Sequence, residues 1–188
     1  RSAGDFVIGF VAAYLFSDGD RGSDNPLYNI DHLLDLWERI RERLPRARLW
    51  LIGDPGHRVS ERCANRPDIL LTGRLPAGEM LAHVANFDVA LYPRTADQGI
   101  QSVKVAEYMS LGIPTVSYDY EVTQILRETG AGLLVDSPHD FVDAVVTLAH
   151  DEPARRRLSD AAERSGRQFA WDLLAERYER EILDVYLT

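Results

Sequence analysis

Lys104 and Glu107 stand three residues apart in the stretch GIQSVKVAEYMSLGIPTVSYD, which otherwise reads as an apolar helix running into a strand. Residues at that spacing share one helical face. An ionised carboxylate accepts hydrogen bonds from two hydroxyls, as the vicinal pair of a ribose supplies, and a lysine beside it can neutralise phosphate. Lys104 falls in the first turn, where the helix dipole disfavours a cation and a neighbouring anion compensates. The preceding loop points the same way: Gly99 lets backbone approach a ligand, Ile100 and Gln101 follow it, and Ser102 suits an N-cap whose nearby amides attract anions. Residue types and spacing therefore fit a nucleoside diphosphate. On the residues alone, a solvated Lys–Glu pair contributing roughly 0.2–0.5 kcal/mol fits as well.

To present those two side chains to one ligand the chain must build a strand end beneath them. Short apolar runs alternate with segments of helical period, the pattern of βαβ units and a parallel sheet. Strands are expected at residues 6–12, 48–52, 69–72, 88–92, in PTVSYD (114–119), and at 132–135. Helices are expected at 29–44, 77–85 and through the Lys104 segment, then at 138–150, 153–168 and 173–185. Helices are also expected between the second and third and between the fifth and sixth strands, with no residues assigned. The strands are nearly continuous in apolar residues, as when helices cover both faces. The expected fold is a single domain over residues 1–188: α/β, a doubly wound parallel six-stranded Rossmann-like sheet with C-terminal helices. Ligands of such sheets sit outside the carboxyl ends of the strands, above the loops that follow Ala12, Ile52, Thr72, Tyr92 and Ser117. The connection at residues 17–28 is long for a βα loop, which marks it as functional or mobile.

Composition narrows the partners. The net charge of -9 and the dispersion of 21 basic residues argue against a general nucleic-acid grip. One cysteine, Cys63, excludes an internal disulfide and reads as a small buried side chain in a reducing compartment. His32, His57, His83, His139 and His150 show no close ligand spacing, so no metal site is expected. No apolar run approaches the roughly 20 residues of a membrane span. The chain opens on Arg-Ser-Ala-Gly-Asp without methionine and leads almost at once into a strand, so it reads as a segment of a longer polypeptide.

SVKVAEYMSLGIPTVSYD resembles the helix and strand of family 4 (group 1) glycosyltransferases, in which a Lys-x-x-Glu-Tyr-Met-x-x-Gly-x-Pro-x-Val segment frames a nucleotide-sugar donor. The likeness continues in RARLWLIGDPG, in ILLTGRLPAGEMLAHVANFDVALYP, in GAGLLVDSPHDFVDAVVTL and in DEPARRRLSDAAERSGRQFAWDLLAERYEREIL. It implies one half of a GT-B fold, the C-terminal donor-binding domain. The N-terminal half, which holds the acceptor site and much of the catalytic machinery, is not represented. By resemblance, Glu107 holds ribose hydroxyls and Lys104 lies near the diphosphate. The loop Gly99, Ile100, Gln101 and Ser102 meets phosphate and sugar, and Thr72, Gly73, Arg74 and Leu75 border the base. The implied reaction moves a sugar from a nucleotide to the hydroxyl of a glycan, lipid or small molecule, with retention and with no cofactor. The isolated domain is expected to transfer nothing. The implied setting is cytoplasmic or peripheral to the inner face of a membrane, in glycan synthesis. A nucleotide-sugar 2-epimerase of the same fold and a degenerate, non-catalytic partner domain are the alternatives.

The chain departs from that family in three places. The earlier of two family glutamates falls on Gly99, with Asp97 and Gln98 nearby. The cation after the first strand's glycine is replaced by Phe10, and the lysine before the first helix by Tyr28. Arg21 and Arg94, with Arg74, are the candidates to meet phosphate in their stead; a solvated surface position is otherwise expected for each. Trp37, Trp50 and Trp171 read as packing residues, and the ARRRL run at 154–158 as a solvated helix face.

Overall fold

The computed structural model describes residues 4–17, 30–94 and 103–180. Six parallel strands alternate with helices: β1 (Phe6–Leu15), α1 (Ile30–Arg43), β2 (Ala47–Pro55), α2 (His57–Cys63), β3 (Ile69–Leu71), α3 (Ala77–Val84), β4 (Val89–Tyr92), α4 (Val103–Ser110), β5 (Thr115–Tyr118), α5 (Gln124–Thr129), β6 (Gly132–Val135), α6 (Pro138–His150), α7 (Glu152–Gly166) and α8 (Trp171–Tyr178). The strand order is β3-β2-β1-β4-β5-β6. Order therefore reverses between β1 and β4, the place where doubly wound sheets open a crevice at the carboxyl ends of their strands.

Alternate residues of each strand feed opposite faces. Ile8, Phe10, Leu49, Leu51, Val89 and Val116 pack beneath α1 and α6, around Trp37 and Phe141. Val7, Val11, Ile52 and Ala90 pack on the other face with Val84, Phe87 and Tyr108. A smaller cluster of Val105, Met109, Leu126 and Ala162 seats α4 under α7. Gly166 makes that seat close, since a Cβ there would lie 2.5 Å from the Met109 backbone.

Most elements fall within a residue or two of the expected ones, and β6 and α6 coincide with them. At α6, Ser137 accepts a hydrogen bond from the Asp140 amide at 3.1 Å, and Pro138 opens the helix. The main corrections are at β1 and β2, which run on to Leu15 and Pro55 rather than stopping at Ala12 and Ile52. The apolar run of β1 continues through Leu15, and the two strands stay paired to their ends, Tyr14 with Asp54 and Leu15 with Pro55. The loop expected at 17–28 lies, beyond Ser17, outside the described residues.

Trp37 is fully buried and donates from Nε1 to Asp68 at 2.9 Å; Trp50 packs edge-on against Phe87. Cys63 is buried, and burial pushes its thiol pKa up. The ARRRL segment is a solvated face only in part. Arg155 is half-buried, donates to the Leu148 carbonyl at 2.6 Å and lies over the Phe6 ring. Among the described residues no helix is long and apolar enough to cross a membrane.

Candidate functional site at the strand-order reversal

A cleft of about 420 Å³ opens at the carboxyl ends of β1 and β2. Its floor is Val11, Ala12 and Ala13 of β1 with Ile52 and Gly53 of β2. Register between the two strands shifts between Val11 and Tyr14, so Ala12 and Ala13 stand against Gly53 alone. This is a β-bulge, a device that bends a strand and re-aims what it carries. Gly53 permits it. At φ +148, a Cβ on Gly53 would sit 1.9 Å from the Ala12 carbonyl oxygen. The Gly53 amide donates to the Gly73 carbonyl at 3.1 Å, which folds the end of β3 back along β2.

Two walls rise from that floor. One is Arg74 and Leu75 with Ala77 and Met80 of α3; the other is Val103, Lys104 and Glu107 of α4. Lys104 and Glu107 thus face one cleft, with Arg74 across from them. Thr72 and Gly73 support the first wall: the Thr72 amide donates to the Leu51 carbonyl at 3.1 Å, and the Thr72 hydroxyl to the Gly73 carbonyl at 2.8 Å. Gly99, Ile100, Gln101 and Ser102, with Asp97, Gln98, Arg21 and Tyr28, lie outside the described residues.

The helix α4 ends as its sequence dictates. Gly112 adopts φ +66, its amide donates to the Met109 carbonyl at 3.0 Å, and the Ile113 amide to the Tyr108 carbonyl at 2.9 Å. These two bonds form a Schellman cap. Leu-Gly-Ile-Pro is therefore a stop that turns the chain into β5. Burial pushes the Glu107 carboxyl above the usual glutamate range, and Lys104 pulls it partly back. A half-buried carboxylate whose burial outweighs the cation beside it carries this signature at ligand sites.

Two expectations about cations change. Phe10 is core, packed on the face of the sheet that α1 and α6 cover. Arg94 is not on the surface: it is only 2% exposed, at the end of β4. Residue type alone does not reveal such depth, since a guanidinium ordinarily stays in water. Arg74 is exposed, on the cleft wall. Ala12 was expected at the strand end beneath the ligand, but Ala13 was not, because nothing but the bulge places it in the floor. On α6, His139, Asp140 and Asp143 bring three ligand atoms within 4.8 Å of one another, a spacing hidden when histidines alone are considered. Ser137 and Arg43 donate to Asp140 and Asp143 there.

The fold is a Rossmann-like α/β domain of the kind found in GT-B glycosyltransferases. Residues 21–151 match the family model described as Glycosyl transferases group 1, and the chain belongs to that family. It is 25% identical over 184 residues to the Glycosyltransferase 1 domain-containing protein 1 of Xenopus tropicalis, covering 94% of this chain and 52% of that protein. It is 26% identical over 159 residues to the sulfoquinovosyl transferase SQD2 of Arabidopsis thaliana, covering 81% of this chain and 31% of that protein. The chain thus spans about half, or less, of the length of these relatives. The pneumococcal O-GlcNAc transferase GtfA, solved with UDP and GlcNAc, superposes with a TM-score of 0.74 at 16% identity, covering 98% of this chain and 36% of GtfA.

Proposed function

We propose that this chain is the donor-binding half of a glycosyltransferase that moves a sugar, with retention, from a nucleotide to an acceptor hydroxyl. The observation that carries the proposal is that Lys104 and Glu107 line one cleft at the strand-order reversal, with Arg74 on the facing wall. In this reading Glu107 accepts hydrogen bonds from the two ribose hydroxyls. Lys104 meets the diphosphate, helped by the segment that holds Gly99 to Ser102, and Thr72, Gly73 and Arg74 border the base. Arg94 and Arg21 supply further positive charge toward the phosphates. The sugar stays bonded to the nucleotide until the acceptor oxygen attacks. This half holds the leaving diphosphate, and the remainder of the polypeptide supplies the acceptor glycan, lipid or small molecule. The reaction needs no cofactor, and the setting is cytoplasmic, peripheral to a membrane through the rest of the protein.

Titration calorimetry of the intact protein with UDP, GDP and ADP tests this. One of them binds, and Glu107→Gln and Lys104→Met each weaken it by about 10–100-fold, the value of one or two charge-assisted hydrogen bonds. Undiminished heat in both variants overturns the assignment. Incubation with nucleotide sugars and no acceptor then separates transfer from 2-epimerisation, since only an epimerase equilibrates the sugar. Failure of the intact protein to bind any nucleotide points to the non-catalytic partner domain.

A further inference from the structure

Beyond Gly9 the two central strands part. The pairing of β1 with β4 consists of Ile8 with Val89 and Gly9 with Ala90, whereas β1 stays paired with β2 through Val11 and beyond. The divergence opens the crevice, and it takes the Val11 amide out of reach of a strand partner on the β4 side. A buried amide must be satisfied. The hydroxyl of Tyr108 does so, accepting from the Val11 N–H at 3.0 Å with both residues buried.

Tyr108 is fixed from two further directions. Its carbonyl accepts the Ile113 amide of the helix cap. Its ring meets Phe87 at a centroid distance of 6.4 Å, and Phe87 in turn lies on β1 where Gly9 has no side chain; a Cβ on Gly9 would be 2.1 Å from the Phe87 ring. The residue adjoining Glu107 therefore ties α4 to the strand that forms the floor of the cleft, at the bulge that shapes it.

We infer that Tyr108 is a positioning residue: its hydroxyl ties α4 to β1 where β1 parts from β4, and so sets the distance between the Glu107 face of α4 and the Ala12–Ala13 floor. This rests on the donor-site reading for its consequence in binding, but the tie itself is a property of the fold. Without the hydroxyl, α4 samples positions in which Glu107 and the floor do not address one ligand. Apparent affinity then falls by the fraction of time the competent arrangement is lost.

The test uses Tyr108→Phe in the intact protein, with Trp37→Phe as a control that deletes another buried side-chain hydrogen bond, to Asp68, away from the cleft. Affinity is measured for whichever of UDP, GDP and ADP binds the wild type, well below the melting temperature of both variants. The expected result is a loss of about tenfold in Tyr108→Phe and less than twofold in Trp37→Phe. Equal losses, or none in Tyr108→Phe, overturn the inference. Hydrogen exchange provides an arm that needs no nucleotide: the Val11 amide exchanges faster in Tyr108→Phe, and the Glu107 amide with it. A Val11 amide as protected as in the wild type overturns the tie outright. Should Tyr108→Phe fail to fold, exchange in the wild type decides. Nucleotide slows the Val11 amide if the tie and the site are coupled, and unchanged exchange in a nucleotide-bound protein refutes the coupling. A wild type that binds no diphosphate refutes the donor-site reading, while the exchange arm still decides the tie.

Discussion

Gly53→Ala gives a sharp test of how the cleft floor is built. The added Cβ would lie 1.9 Å from the Ala12 carbonyl oxygen, 3.0 Å from its carbon and 3.2 Å from Leu15 Cγ. Ordinary contact begins at 3.4 Å, so one strand must yield by about 1.5 Å. The atoms in the way are mostly backbone, and the backbone in question is the bulge of β1 held by α4 through Val11. The φ of +148 adds strain that an L side chain cannot relieve in place. Overpacking of about 1–3 kcal/mol and backbone strain of similar size give roughly 2–6 kcal/mol together. For a chain of this length that is a drop of roughly 4–24 °C in melting temperature. Gly73 is the internal control. It has φ +71, but a Cβ there would meet nothing within 4 Å, so Gly73→Ala costs only the left-handed conformation, about 1–2 kcal/mol. Urea unfolding of both variants measures the difference. If Gly53→Ala costs no more than Gly73→Ala, the close approach of β2 to the bulge is not what shapes the floor.

Other expectations follow from the charged groups. Glu107 must be ionised to accept two hydroxyl donors, and burial raises its pKa, so nucleotide affinity holds above that raised value and falls about tenfold per pH unit below it. Calorimetry from about pH 8 down to about pH 4.5 shows a steeper decline in the wild type than in Glu107→Gln, whose residual slope is that of the nucleotide's own terminal phosphate; equal slopes sink the assignment. The same raised pKa means the folded state holds the proton more tightly than the unfolded chain, so this group adds stability as pH falls through the raised value. Glu107→Gln accordingly melts no lower than the wild type at neutral pH, and a clear drop contradicts the reading. Asp68 behaves in the opposite sense. Hydrogen bonds from Arg66 at 2.7 Å and 3.0 Å, with that from Trp37, hold its carboxyl well below the usual range, so its contribution is present above the ordinary carboxylate value and fades as pH falls. Asp68→Asn costs about 2–4 kcal/mol at neutral pH by urea unfolding, and the difference narrows in acid; a cost independent of pH refutes it.

How far the site can be read in one dimension depends on how local its cause is. The α6 start at Ser137-Pro138 and the α4 stop at Gly112-Ile113-Pro114 are written in neighbouring residues, because capping is a matter of one turn of backbone. Lys104 and Glu107 share a face for the same reason. α2, only seven residues with Val59 and Cys63 buried, is too short for its period to stand out between Gly56 and Ala64. Gly-Asp-Pro-Gly at 53–56 looks like a turn, yet Gly53, Asp54 and Pro55 are strand; the partner that keeps them extended is β1, some forty residues earlier in the chain. Arg94 was expected on the surface because its type favours water, and its depth is set by what packs around the end of β4.

The chain's own periodicity determined six parallel strands, the helices that cover them, and a helical face that joins a base to an acid. Only the tertiary structure decided the strand order, and with it the parting of β1 from β4, the bulge opposite Gly53 and the Tyr108–Val11 bond across 97 residues. Periodicity is a property of neighbouring residues and survives without knowledge of the rest. A cleft is a property of surfaces that meet only after the chain has closed on itself.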